Sequence, residues 1–534
     1  MMSWLSALYR NGFMFCMALG VLACKPMATV FVETPVGTIG GIEKKSTQQF
    51  LGIPYAKPPV GELRWREALP LPPFEEVYQA TQPGTRCIQF AQGTESLAAS
   101  EDCLFLNIWR PTGANTPTEN SNLPVMLFIH GSAFAFGSSN EVLWDGSQLA
   151  SAHNVIVVTM NYRLGYLGFL SLPELTQESG HSGNYSFYDQ QMALKWVHNN
   201  IRAFGGDRNR IMLFGQSAGA MSTCMHLASD DSSPLIYSAA IASGFCLDKV
   251  LTQEQAEEFG STFAVNAGCP QQNPLECLRE KSIEEIDQAL VASGIKDRLF
   301  APNPALPVIP VVDGKFIDRQ PREKLAAGAF SGKSVIIGAT PEEGTIFFIT
   351  HPPIADEAAY LELLESEYGH RAGDVAALYP FDAYKTGRGA YAALSGDRFF
   401  SCNAKGTANV LDQGGAEVYF FEFNQWISPL LPRLFGALGF ETGPIHGAEL
   451  LYLFSYDLSS SNLKPETAYV AKLMQSYWVN QASNGTPNSG DLPQWPAYTR
   501  DAFSYLKLDS DPQVKANLKA EKCALLNSLP LIHI

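Results

Sequence analysis

One serine of this chain has neighbours that could make it a nucleophile. The apolar run Ile211-Met212-Leu213-Phe214 ends on Gly215-Gln216-Ser217-Ala218-Gly219, and Ala220 to Leu227 is compatible with helix. Gly-x-Ser-x-Gly between a strand and a helix is a nucleophile turn: the serine is held in a strained backbone conformation, and the flanking glycines leave room where a Cβ would collide. The turn also sets the hydroxyl at a helix N-terminus, whose free N–H groups favour a developing negative charge. A serine hydroxyl is a weak nucleophile at neutral pH. It needs a base within hydrogen-bond reach, an acid that orients the base, and donors for the oxyanion.

On this type of turn the chain order is serine, acid, histidine. His351, His370, His446 and His533 follow Ser217 at a distance. Of these, His446 lies in Gly443-Pro444-Ile445-His446-Gly447, a loop ahead of an apolar, helix-like stretch, which is where a catalytic base belongs. His226, within the helix after the turn, reads as structural. For the acid, Glu342 and Glu343 both follow the strand-like Val335–Ala339 and precede Gly344, and spacing leaves the choice between them open. For the oxyanion, His130-Gly131-Ser132-Ala133-Phe134 follows another apolar run, in the position of a loop that supplies backbone N–H donors. The N–H of Ala218 is a further donor. Such donors contribute about 3 kcal/mol each to lowering the barrier.

These groups need a rigid frame, and the rest of the chain predicts one. The runs 124–130, 154–160, 211–214, 238–244 and 334–338 are short and apolar on both faces, with 418–423 a further candidate. That pattern suits strands of a mostly parallel sheet buried between helix layers. Thr29 to Ile42 reads as a starting hairpin, and Thr112 to Asn122 as an exposed loop. Ala193, Trp196, Val197, Ile201 and Phe204 place a helix over 189–204 with Gly205-Gly206 as its stop; 468–482 is a second helix, ended at Asn484-Gly485. The expectation is an α/β layered unit with residues 247–333 inserted over one face.

Of the 534 residues, 53 are acidic and 37 basic, a net charge of −16 that argues against nucleic acid as a partner. Arg10 followed by the uncharged stretch 13–23 reads as a secretory signal over residues 1–23, too short to span a bilayer. Val21-Leu22-Ala23-Cys24 also resembles a bacterial lipobox, in which a lipidated Cys24 would tether the chain to a membrane. The expected location is therefore secreted, or periplasmic and envelope-bound. None of the ten cysteines is spaced as Cys-x-x-Cys, so no zinc or redox motif is present, and the chemistry calls for no metal and no cofactor.

Longer motifs carry a resemblance. Residues 50–65 (FLGIPYAKPPVGELRW), 100–111 (SEDCLFLNIWRP), 161–169, 183–207, 214–219 (FGQSAG), 342–348 (EEGTIFF), 443–450 (GPIHGAEL) and 478–488 resemble the type-B carboxylesterase and cholinesterase family along nearly the whole mature chain. The resemblance implies an α/β-hydrolase fold over residues 29–534 and hydrolysis of small-molecule carboxylic esters through an acyl-enzyme. It implies Ser217 as nucleophile, His446 as general base and acid, and Glu343, the glutamate directly before the glycine, as orienting acid. Ser132, Ala133 and Ala218 fall on the oxyanion-donor positions, with Ser132 where the family usually has glycine.

The resemblance also pairs Cys87 with Cys103, Cys269 with Cys277 and Cys402 with Cys523, and leaves Cys224 and Cys246 without a family partner. Arg64 with Glu101 and Arg163 with Asp189 look like the family's structural ion pairs. Asn184 and Asn484 begin glycosylation sequons, the first in a motif that is normally buried. The loop Ile88 to Asp102 lacks the tryptophan that holds choline in cholinesterases, which turns the reading away from choline esters. Two alternatives remain at this stage: a lipase working at lipid–water interfaces behind an apolar lid, and a cholinesterase-like binding or adhesion protein without turnover.

Overall fold

The computed structural model describes residues 27–89, 98–246, 250–292, 310–426, 428, 430–455 and 463–529. The signal stretch 1–23, Cys24 and His533 lie outside the described residues. Among the described residues one sheet of 13 strands organises the chain. It opens with the antiparallel strands Val30–Thr34, Gly37–Glu43, Thr47–Pro54 and Phe105–Pro111. Phe105–Pro111 pairs antiparallel with Ile156–Met160. From there every pairing is parallel, through Leu123–Ile129, Gly206–Gln216, Ser238–Ala242, Ser334–Ala339, Glu417–Phe423 and Ser504–Leu508. An antiparallel strand, Gln513–Ala516, closes the order.

Parallel strands buried on both faces must be apolar at successive residues, and these are. Val125, Leu127, Ile129, Ile211, Leu213, Val335, Ile337, Val418 and Phe420 enter the core on one face. Met126, Phe128, Met212, Phe214, Ile336, Tyr419 and Phe421 enter the core on the other. Each fully buried aliphatic or aromatic side chain contributes about 1.5–3 kcal/mol relative to exposure. The two faces therefore fix register as well as stability, because a one-residue slip would exchange them.

Helices cover both faces. Tyr185–Asn200 runs on into a 3₁₀ turn, Ile201–Phe204, and stops at Gly205 with φ 88°. It starts earlier than its apolar spacing predicts, because its first turns bury polar side chains that find partners: Asp189 takes Arg163, and Gln190 reaches Ser222 and His226. Pro465–Asn484 ends on Gly485 at φ 71°, a left-handed cap that glycine adopts freely. Within 247–333 the described helices Gln253–Asn266, Pro274–Glu280 and Ile283–Ala292 share a core with Trp65, Tyr166, Leu170 and Tyr185.

The disulfides Cys87–Cys103, Cys269–Cys277 and Cys402–Cys523 are formed. Cys224 and Cys246, left unpaired by the sequence reading, are also bonded, with their Cα atoms 5.3 Å apart. Arg64 meets Glu101, and the buried Arg163 meets Asp189. Asn184 is fully buried and donates to the carbonyl of Val311, whereas Asn484 is exposed.

Candidate active site

The turn that carries Ser217 is built by close approach of three backbones. Ser217 stands between the strand Gly206–Gln216 and the helix Ala218–Ala228 with φ 56° and ψ −126°. A Cβ on Gly215 would lie 2.2 Å from the carbonyl oxygen of Gly219, and one on Gly219 would lie 2.0 Å from that of Ile129. Glycine is required at both positions for that reason. The Ser217 N–H is anchored on the carbonyl of Ala242, 3.0 Å away, in the neighbouring strand. Strain of this kind persists only where the surroundings over-determine it.

The loop after Leu123–Ile129 runs beside this turn. Ser132, Ala133 and Phe134 have φ of 78°, 54° and 58°, a left-handed run of three non-glycine residues. Several bonds impose it. The Ala135 N–H donates to the carbonyl of Ser132 and the Gly165 N–H to that of Phe134. Gln89 clamps Gly137 by accepting from its N–H at 2.7 Å and donating to its carbonyl at 3.1 Å. Tyr162 donates to the carbonyl of His130 at 2.7 Å and stacks on its ring. Burial holds His130 down at about 4, so this imidazole is neutral at ordinary pH. Among the described residues no acceptor takes the N–H of Ser132, Ala133 or Ala218.

Glu343 and His446 arrive on two loops that are bonded to each other. The Glu342 N–H donates to the carbonyl of Pro444 at 3.2 Å, and Glu342 bridges to Ile445. Gly447, at φ 81°, turns the chain into the short helix Ala448–Leu450. Nδ1 of His446 is hydrogen-bonded to Oε2 of Glu343, which is fully buried. Glu342 instead faces Lys519, Asp397 and Glu441, and burial pushes it up to about 7. Burial also opposes charge on Glu343. The His446 imidazole and the bonds from His446, Thr340 and Ser243 outweigh it and hold the carboxyl below the ordinary glutamate range. Since the carboxylate only accepts, Nδ1 must carry a proton, and in the neutral ring that leaves the lone pair on Nε2.

Nε2 lies 3.1 Å from Nε2 of the Gln216 side chain, and among the described residues no hydrogen bond joins it to Ser217 Oγ. Phe400 and Phe347 flank the ring at 4.6 and 5.3 Å between centroids. Behind Glu343, the fully buried Glu449 accepts from Ser243 at 3.2 Å; burial first, and the charge of Glu343 second, push it up to about 7. Gln216, Phe347, Ser243 and Glu449 carry no signal in the sequence beyond their places in motifs and runs, and Phe400 carries none. Gln216 was legible only as the variable letter of Gly-x-Ser-x-Gly.

A strained serine at the C-terminal end of a central parallel strand, with a histidine–carboxylate pair delivered from loops beyond later strands, defines the α/β-hydrolase class. The profile described as the carboxylesterase family matches residues 28–526. The para-nitrobenzyl esterase of Bacillus subtilis (strain 168) is 33% identical over 93% of this chain and 98% of its own. Pyrethroid hydrolase Ces2e of Rattus norvegicus is 32% identical over 97% and 92%, and the acetylcholinesterase of Bungarus fasciatus 31% over 93% and 86%. A solved PNB esterase structure superposes with a TM-score of 0.78 at 32% identity, covering 93% of this chain and 99% of that one. The chain belongs to the carboxylesterase family and is a carboxylic ester hydrolase.

Proposed function

We propose that Ser217, His446 and Glu343 form the catalytic triad, with the N–H groups of Ser132, Ala133 and Ala218 as the oxyanion hole. Ser217 Oγ attacks the ester carbonyl while Nε2 of His446 takes its proton. Glu343 keeps the imidazole in the tautomer whose lone pair faces the serine and stabilises the imidazolium that forms. The alcohol leaves with that proton, and water then resolves the acyl-enzyme by the same steps in reverse. The observation that carries this reading is the His446–Glu343 hydrogen bond, with the ring's other nitrogen 3.1 Å from the side chain of Gln216, the residue next to Ser217.

Phe347 and Phe400 beside the imidazole favour esters with an apolar group near the carbonyl. We place the substrates among small, neutral aryl and alkyl esters with short to medium acyl chains. The names of the bacterial and rodent relatives, para-nitrobenzyl esterase and pyrethroid hydrolase, support that class. Residues 29–534 are read as one hydrolase unit, which the match over 28–526 supports. Export under the direction of residues 1–23 is supported by the disulfides among the described residues, since such bonds persist in oxidising compartments. Tethering through Cys24 is the envelope-bound form of the same proposal.

Hydrolysis of p-nitrophenyl esters of graded acyl length by the wild type and by Ser217→Ala tests the reading. The expected result is a preference for short to medium chains and a loss of at least about 10³-fold in the variant. Undiminished turnover in Ser217→Ala would remove the nucleophile assignment. A rate jump above the substrate's solubility limit would favour the lipase alternative.

A further inference from the structure

The residue ahead of the nucleophile reaches the nitrogen that the reaction needs. With Nδ1–H of a neutral His446 committed to Glu343, the contact between Gln216 Nε2 and His446 Nε2 is the amide N–H donating to the imidazole lone pair. That lone pair is the one that must accept the proton of Ser217. The Gln216 side chain is set between two glycines. A Cβ on Gly131 would stand 3.1 Å from Gln216 Oε1, and a Cβ on Gly447 would stand 3.7 Å from Gln216 Nε2. The side chain therefore spans from the oxyanion loop to the histidine loop. Building on the triad proposed above, we propose that Gln216 is a positioning residue: it donates its amide N–H to the Nε2 lone pair of His446, holds the free enzyme's base aimed, and yields that lone pair to the Ser217 hydroxyl when an ester binds.

A donor on Nε2 bonds the neutral imidazole and has nothing to offer the imidazolium, so it favours the form that can take the proton of Ser217. The charged and titratable groups around His446 pull the other way. Glu343, on the loop after Ser334–Ala339, is bonded to Nδ1, and Glu449 follows on the short helix Ala448–Leu450. Glu342 lies on the Glu343 loop, turned towards Lys519. Phe347 and Phe400 pack against the ring without charge, and His130, on the oxyanion loop, is neutral. Gln216 is thus the contact among these that opposes protonation at Nε2, and it does so without adding a carboxylate beside the reacting carbonyl.

The test is the acid limb of kcat/KM, which reports ionisation of the free enzyme, read with a p-nitrophenyl ester. Gln216→Met keeps the side chain's length and removes the donor; its acid limb should move up by about half to one pH unit. Gln216→Glu keeps shape and polarity and serves if the first variant does not fold; its limb should move up further than that of Gln216→Met. In both, the limb of kcat should move less than that of kcat/KM, because in the complex the serine has replaced the amide. An acid limb that stays at the wild-type pH in a folded variant overturns the proposal, since a side chain that only fills space would leave it there. Ser217→Ala separates the two levels. An active Ser217→Ala enzyme removes the triad and this role together. An inactive one alongside an unmoved limb removes the role of Gln216 alone.

Discussion

The N–H of Glu342 donates to the carbonyl of Pro444, 3.2 Å away, and so fastens the loop carrying Glu343 to the loop carrying His446. Two side chains far apart in sequence therefore approach each other on a backbone that is already joined. Lys519, from the C-terminal region, reinforces the same corner by donating to the carbonyl of Pro341 and pairing with Asp397. The Glu343–His446 pair is held by main chain, and side-chain contacts refine it.

The loop proposed to supply the oxyanion donors makes the sharpest backbone prediction. Ser132 at φ 78° occupies a conformation in which glycine is at ease. Ser132→Gly keeps every N–H and can hold the same φ, so it should retain kcat/KM within about threefold. Ser132→Pro removes the donor and fixes φ near −65°, and should lose about 10²–10³-fold in kcat. Steady-state kinetics of the two variants decide it; an active proline variant would show that this N–H is not used.

Glu449 predicts a pH dependence of stability. Its folded-state value is raised to about 7 from the ordinary 4.5, chiefly by burial. The unfolded chain ionises this group first, so its contribution is fully present below about pH 4.5 and is lost as pH rises towards 7. Glu449→Gln removes the titration. The variant's Tm relative to wild type should rise from pH 4.5 to 7 and level off above. A difference flat across that window would contradict the shift.

The bond between Cys224 and Cys246 joins the helix that follows Ser217 to the segment after Ser238–Ala242. Peptide mapping without reduction should recover these two cysteines as one linked pair. Cys246→Ser with Cys224→Ser should lower stability by about 2–4 kcal/mol, read by denaturant unfolding. Free thiols at both positions in the oxidised protein would contradict the pairing.

Much of the frame was legible because parallel strands buried on both faces must be apolar throughout, as in Leu123–Ile129 and Ser334–Ala339. Ser504–Leu508 escaped notice because it lies near the sheet's end and carries Lys507, which breaks the apolar run. The start of Tyr185–Asn200 was hidden because buried polar residues satisfied by distant partners leave no apolar period. The proposed triad of Ser217, His446 and Glu343 rests on motif, chain order and resemblance, and the His446–Glu343 contact agrees with it. The Gln216 contact, the left-handed run at 132–134 and the Cys224–Cys246 bond were not legible, since each depends on how separate segments meet after folding.

The central claim is that one serine is activated for attack. Its most direct test is covalent labelling of the full-length protein by a fluorophosphonate, followed by peptide mapping. The account predicts one adduct per chain, on Ser217, abolished in Ser217→Ala and slowed at least about 10²-fold in His446→Ala. An adduct on another residue, or equal labelling after loss of either side chain, would contradict it.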